Sequence, residues 1–322
     1  MVTTRLYRAG KLIKEDFPVA EISDHIAEKD CTVWADFVSP TPQDLENIAE
    51  ELGLHRLAVE DAVHDYQRPK LDRYDTHLFL AAYSVELDIE TGELTSTAVK
   101  AFITRQAFIT VHGQDFDMAA VVQRWDDDID LAENGVPYLL WGLLDVVVDQ
   151  HFDTVQSLDG EIESLEDALF DDQPRDKEVQ KRSFELRKSL VLLRRVILPM
   201  REVVNTVLRR DLDSFGLPMM PYYQDVYDHV LRATEWTDSL RDLVTTILET
   251  NISIQGNRMN LVMKKVTSWA AIIAVPTAIT GFFGQNVAFP GFGNVWGLVV
   301  SLALMVGVSL ALYLGFKKRD WL

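Results

Sequence analysis

The sequence predicts an α+β membrane protein: an N-terminal α/β domain, then a long helical stalk that continues into the first of two transmembrane helices. Three observations carry this. Val266 to Phe283 holds no charged residue, and neither does Val295 to Phe316. Strand-type runs end well before Pro137, after which helical patterns take over. No proline interrupts the chain between Pro221 and Pro276.

The N-terminal domain is expected over residues 1–135. Its opening MVTTRLYRAGKLIK has no apolar core, so no signal peptide is expected. CTVWADF, residues 31–37, reads as a strand. Pro42 to Leu52 reads as a helix, with Thr41 as cap, proline in the first turn and Gly53 at the end. Arg56 to His64 is a second short helix. His77–Leu87, Leu94–Thr104 and Ala107–His112 are β-branched and aromatic runs punctuated by turn residues, as in a meander of paired strands.

Residues 136–215 read as an antiparallel helical hairpin. One helix covers Leu139 to Phe170, the other about Asp176 to Arg210, with the break at Asp-Gln-Pro. Ten acids lie between Asp153 and Glu178, against Arg175 and Lys177. Two readings stay open: an ordinary solvated helix face, or an attractor for divalent cations.

The stalk is expected over 216–260. Trp236, Leu240, Leu243, Ile247 and Ile254 keep a helical spacing. From Pro221 to Val275 such a helix would be roughly 80 Å long at 1.5 Å per residue, so it projects from any compact domain. The first span follows at 261–283, a loop at 284–294, the second span at 295–316 and a basic tail at 317–322. Both apolar runs approach the about 20 residues that a bilayer core requires. Lys264 and Lys265 precede the first, and Lys317, Lys318 and Arg319 follow the second. The loop GQNVAFPGFGN carries no charge. The positive-inside rule then puts both termini in the cytoplasm, in a multi-pass protein of the cell (inner) membrane.

The first span has a polar face. Asn260, Thr267, Ala274, Thr277 and Gly281 recur at helical spacing, and polar groups at membrane depth usually face a cavity or a bundle interior. The alternative is that threonine hydroxyls bond back to their own helix while small residues serve packing; Thr280 fits that reading. Two spans from one chain cannot enclose a water-filled path, so a lumen requires several copies.

The net charge of −19 argues against nucleic acid and suits cation attraction. Cys31 is the only cysteine, which rules out an intrachain disulfide. His55, His64, His77, His112, His151 and His229 show no metal-ligand spacing. Neither a nucleophile–base pair nor GxxxxGK[ST] is present, so no enzyme and no organic cofactor are expected.

WADFVSPTPQDLENIAEELGLH, VEDAVHDYQRPKLDRYDTHLFL, YYQDVYDHV, NLVMKKVT and KKRDWL together resemble the CorA family of divalent-cation channels, over essentially the whole chain. The resemblance implies a funnel-shaped homopentamer in the lipid bilayer, its stalks and first spans lining a central pore. The family's Gly-Met-Asn signature here reads Gly284-Gln285-Asn286, and the loop lacks the family's usual acids. A ring of Asn286 amides would accept hydrogen bonds from the water shell that Mg²⁺ releases reluctantly, and neutral oxygens would hold the ion weakly enough to let it leave. Gly284 is expected to permit the tight turn that ends the helix and to let chains approach closely.

The resemblance further implies that Asn260 is a second pore asparagine, that Thr277 and Gly281 lie along the pore, and that Ala274 stands where the family often has a larger gate residue. Val266 and Met263 are the other gate candidates. Asp225 matches the stalk acid of a regulatory Mg²⁺ site completed by a neighbour's Asp75 or Asp72, with Glu249 at another acidic stalk position. Lys264, Lys265, Lys317, Lys318 and Arg319 form a basic collar. The implied function is Mg²⁺ uptake, with Co²⁺ or Ni²⁺ as lesser substrates, driven by membrane potential and closed by cytosolic Mg²⁺. Two other readings stay open: a Zn²⁺ transporter of the same family, proton-coupled or not, and a non-conducting, membrane-anchored cation sensor or scaffold.

Overall fold

The computed structural model describes residues 2–64, 68–169, 176–209, 217–285, 288 and 290–322. The chain divides into two compact units, Met1–Ile247 and Leu248–Leu322.

The first unit is built on a seven-stranded sheet: β1 (Val2–Arg8), β2 (Lys11–Glu15), β3 (Cys31–Val38), β4 (Lys70–Arg73), β5 (Leu78–Leu87), β6 (Leu94–Ile103) and β7 (Ala107–His112). The order across the sheet is β2-β1-β3-β7-β6-β5-β4. β5, β6 and β7 form the expected antiparallel meander. β3 joins β7 in parallel, with Val33 opposite Ala107 and Val38 opposite His112. The sheet is therefore mixed, with one parallel pair at its centre.

Both faces of β3 are buried, because helices cover the sheet on either side. Val33, Ala35 and Phe37 join a core with α1 (Ile22–Ile26), α2 (Pro42–Leu52) and α3 (Arg56–Val63), through Ile22, Leu45, Ile48 and Ala58. Trp34 points the other way, edge-on to Trp125 at 4.9 Å between ring centroids. Thr41 and Asp44 form a reciprocal capping box at the start of α2, and Gly53 closes that helix in the left-handed conformation.

The layer around Trp125 comprises α4 (Met118–Asp127) and α5 (Val136–Leu169), and α6 (Asp176–Leu208) packs against α5 and β4. Trp125 donates its indole N–H to the Leu139 carbonyl at 3.0 Å. A Cβ at Gly142 would lie 2.4 Å from the Trp125 ring, so only glycine fits there. α7 (Met220–Phe283) begins in this unit and packs along α5: Tyr222 meets Trp141, and Trp236 meets Phe152.

The second unit contains the rest of α7 and α8 (Val295–Lys318). Pro276 lies inside α7 without ending it. Gly291 and Gly293 both take positive φ in the connecting loop. Gly291 also approaches the start of α8 so closely that a Cβ on Gly297 would lie 2.5 Å from its carbonyl oxygen.

Candidate functional site

α7 and α8 are long and apolar enough to cross a membrane. Only 6% of the apolar window of α7 and 11% of that of α8 is buried, whereas a soluble core helix would be mostly buried. The buried positions on the spans are small: Ser268, Gly297 and Ser301. Small residues are what close helix packing in a bilayer uses.

The polar face of α7 is exposed along its length in the single chain. Asn260, Thr267, Ala274, Thr277 and Gly281 are all exposed, as are Met263 at 55% and Val266 at 58%. Thr277 donates its hydroxyl to the Ile273 carbonyl at 3.1 Å, and Thr280 reaches the Pro276 carbonyl at 2.9 Å and the Thr277 carbonyl at 3.0 Å. Both threonines thus satisfy their own hydroxyl protons within the helix, while a hydroxyl oxygen retains capacity to accept.

A cleft of about 560 Å³ in the second unit gathers Asn260, Met263, Lys264 and Thr267, with Asn257 and Trp321. Four of the sequence-derived pore and collar positions therefore meet in one place. Trp321 was not among them. It stacks on Phe316 at 5.7 Å and is held by its N–H to the Phe316 carbonyl at 3.0 Å. A tryptophan two residues from the last basic residue carried no signal that the tail would fold back. Lys265, Lys317, Lys318 and Arg319 are exposed.

At the signature, the Gly284 N–H donates to the Thr280 carbonyl at 2.8 Å, and the Gln285 N–H reaches the Phe282 carbonyl at 3.3 Å. Gly284 does not take positive φ. Its glycine requirement is steric: a Cβ would lie 2.9 Å from the Thr280 carbonyl oxygen. Asn286 lies outside the described residues.

Asp225 and Glu249 are exposed on α7, and Asp75 is exposed beyond β4. Asp72 pairs with Lys70 at 2.6 Å, and Lys70 also bonds Asp61. Among the described residues, no group of three or more His, Cys, Asp or Glu could hold a metal ion within one chain. Of the acidic hairpin face, Asp153, Glu163, Glu166 and Asp167 are exposed, Glu161 pairs with Arg182, and Asp171 and Asp172 lie outside the described residues.

Three of the histidines, His55, His112 and His151, take structural roles. His55 accepts the Leu57 N–H at the start of α3. His151 is fully buried on the Tyr83 carbonyl, and burial pushes it down to about 4. His112 faces the buried Asp36 carboxylate at 3.1 Å, which also accepts the Thr110 hydroxyl at 2.6 Å. Asp145 is a further buried acid, 2.6 Å from Arg124; burial outweighs the guanidinium and raises the carboxyl to about 6. Sequence periodicity did not single out either pair, because each joins elements distant in the chain.

An α/β unit, a helix that runs on from it to membrane length, and a polar stripe on that span define a membrane transport protein. The family model of the CorA-like Mg²⁺ transporter protein matches residues 29–318, and the chain belongs to this family, whose members are ion transporters and not enzymes. The chain is 31% identical over 282 residues to the cobalt/magnesium transport protein CorA of Thermotoga maritima, covering 86% of this chain and 80% of that protein. Its fold matches the complete structure of the CorA magnesium transporter from Methanocaldococcus jannaschii with a TM-score of 0.79 at 21% identity, covering 100% of this chain and 99% of that one. A more distant relative is the zinc transport protein ZntB of Yersinia pseudotuberculosis, 20% identical over 303 residues, 93% of this chain and 90% of that protein.

Proposed function

We propose that this transporter is a homopentameric Mg²⁺ uptake channel, with Co²⁺ and Ni²⁺ as lesser substrates. The observation that carries the reading is the exposed face of α7 on which Asn260, Thr267, Ala274, Thr277 and Gly281 are all polar or small. Copies of this helix around an axis turn each Asn into a ring of amide oxygens. Such a ring, at Asn286 outside and Asn260 inside, holds hydrated Mg²⁺ through its water and releases it readily. A potential of 100 mV is worth about 2.3 kcal/mol per charge, hence roughly 4.6 kcal/mol for a divalent cation moving inward. Asp225 of one subunit, with Asp75 or Asp72 of the next, binds cytosolic Mg²⁺ and holds the closed state; Glu249 contributes at a second level. Losing the ion leaves acids facing one another and frees the stalks to move.

Mg²⁺ flux into proteoliposomes, wild type against Asn286→Ala, tests this. The wild type should conduct and the variant should fall by about tenfold or more, the effect of roughly 1.4 kcal/mol. Equal flux in both would remove Asn286 from the pore ring, and absence of divalent flux in the wild type would indicate a cation sensor.

The likeness to ZntB and the glutamine at 285 favour a second reading, a Zn²⁺ transporter. A Zn²⁺ flux that requires a pH gradient, with no Mg²⁺ flux, would select it.

A further inference from the structure

A second cavity, of about 1250 Å³, lies within the first unit. It opens where the parallel strands β3 and β7 end, at Val38 and His112. β6 pairs with β7 only from Val99 onward, so Leu94 to Ala98 overhang β7 and wall the cleft on one side. α6 supplies much of the opposite wall, between Val191 and Pro199. A crevice beyond the carboxyl ends of parallel strands is the usual ligand position in open α/β sheets.

The charge of this cleft is opposite to that of the chain. Among the described residues, Arg68, Lys100, Arg194, Arg195 and Arg241 line it, with Asp115 as the carboxylate. The chain as a whole carries 31 Lys and Arg against 50 Asp and Glu. Arg194 donates to Asp238 at 2.7 Å, and Arg241 lies 3.6 Å from the same oxygen and 3.6 Å from the exposed Asp242, so Arg194 and Arg241 are partly neutralised while Arg68 and Arg195 lie at the solvent side. Lys100 is 4% exposed and donates to the Ala62 and His64 carbonyls, which fixes its ammonium in the cleft wall. Arg68 and Arg195 are exposed at the mouth. Leu94, Val111 and Val196 supply apolar wall between the cations.

We propose that this cleft binds a phosphate-bearing organic anion of nucleotide size. Guanidinium groups grip phosphate through paired N–H donors, and apolar surface beside them accepts a base. The volume is on the order of, and somewhat above, that of small-molecule pockets. The site shares α7 through Arg241 but uses none of the positions from Asn260 to Gly281, and it does not rest on the proposed ion selectivity.

Calorimetric titration of the full-length protein in detergent tests this, with EDTA present and ATP, pyrophosphate and adenosine as separate probes. ATP should bind saturably, pyrophosphate more weakly, and adenosine at least about tenfold more weakly than ATP, a difference of roughly 1.4 kcal/mol. Arg195→Ala and Arg68→Ala, each checked for an unchanged melting temperature, should weaken ATP by about tenfold. Absence of saturable ATP binding up to about 1 mM, some 4 kcal/mol of affinity, would overturn the proposal, as would equal affinity in both variants. A thiol probe on Val63→Cys, a cleft residue 44% exposed, gives an independent readout. ATP should protect it from labelling. Protection in the assembled protein without nucleotide would instead show a neighbouring copy filling the cleft, and would also overturn the proposal.

Discussion

Tyr223, fully buried near the start of α7, donates its hydroxyl to the Pro137 carbonyl at 2.6 Å, near the start of α5. Burial raises its phenol well above the ordinary value, so it stays a neutral donor at any physiological pH. The bond ties the first turn of the stalk helix to the helix that lies across the sheet. Asp225 is two residues further on, so this contact fixes the starting point of the proposed regulatory face.

Tyr223→Phe keeps the ring and removes the donor. A hydrogen bond of this kind is worth about 1 kcal/mol net. The variant should melt a few degrees lower with ion flux retained under saturating conditions. An unchanged melting temperature would mean that the Pro137 carbonyl is satisfied within its own helix.

The His112–Asp36 pair predicts a pH dependence of stability. Burial opposes the imidazolium charge, but the Asp36 carboxylate and the Gly113 carbonyl outweigh it, so His112 titrates above its ordinary value of 6.5. The folded protein then holds the proton more tightly than the unfolded chain. The contribution is complete below about pH 6.5 and is lost as pH rises through the folded value. Melting temperature should therefore decline on the alkaline side of pH 6.5, and His112→Asn should flatten that slope. Parallel slopes in the two proteins would exclude His112 as the titrating group.

Gly284→Ala tests the end of α7, the proposed pore helix. A methyl group 2.9 Å from the Thr280 carbonyl oxygen must displace the last turn. Mg²⁺ flux in proteoliposomes should fall by about tenfold, since overpacking of this kind costs about 1–3 kcal/mol. The soluble unit, probed by its own thermal transition, should not change. Wild-type flux would show that the turn relaxes at little cost.

Asp225→Ala addresses regulation. If Asp225 helps bind cytosolic Mg²⁺ between subunits, high Mg²⁺ should protect the wild type from limited proteolysis and protect the variant much less. Equal protection would remove Asp225 from the regulatory site.

Much of the fold was legible where local signals were strong. Thr41, Pro42 and Gly53 announce the two ends of α2, and the structure shows each in its expected role, with Asp44 completing the capping box. β5, β6 and β7 were readable because β-branched and aromatic residues dominate them. β2, KLIKE, and β4, KLDR, were not, because edge strands carry charges that mask the pattern. α4 was missed as well: its ten residues are short, and its apolar side is defined by Trp125 and Val121 meeting elements far away in sequence.

By itself, the sequence determined two charge-free spans, the break-free helix leading into the first, and the polar stripe from Asn260 to Gly281. These are local periodicities, set by bilayer thickness and helix pitch. Only the tertiary structure decided that β3 and β7 run in parallel, that Asp36 and His112 share a buried charge, that Trp321 returns to the Asn260 cleft, and that five cations converge beyond the strand ends. Each of these joins residues far apart in the chain, and no local pattern records which distant segments the packing of the core will bring together.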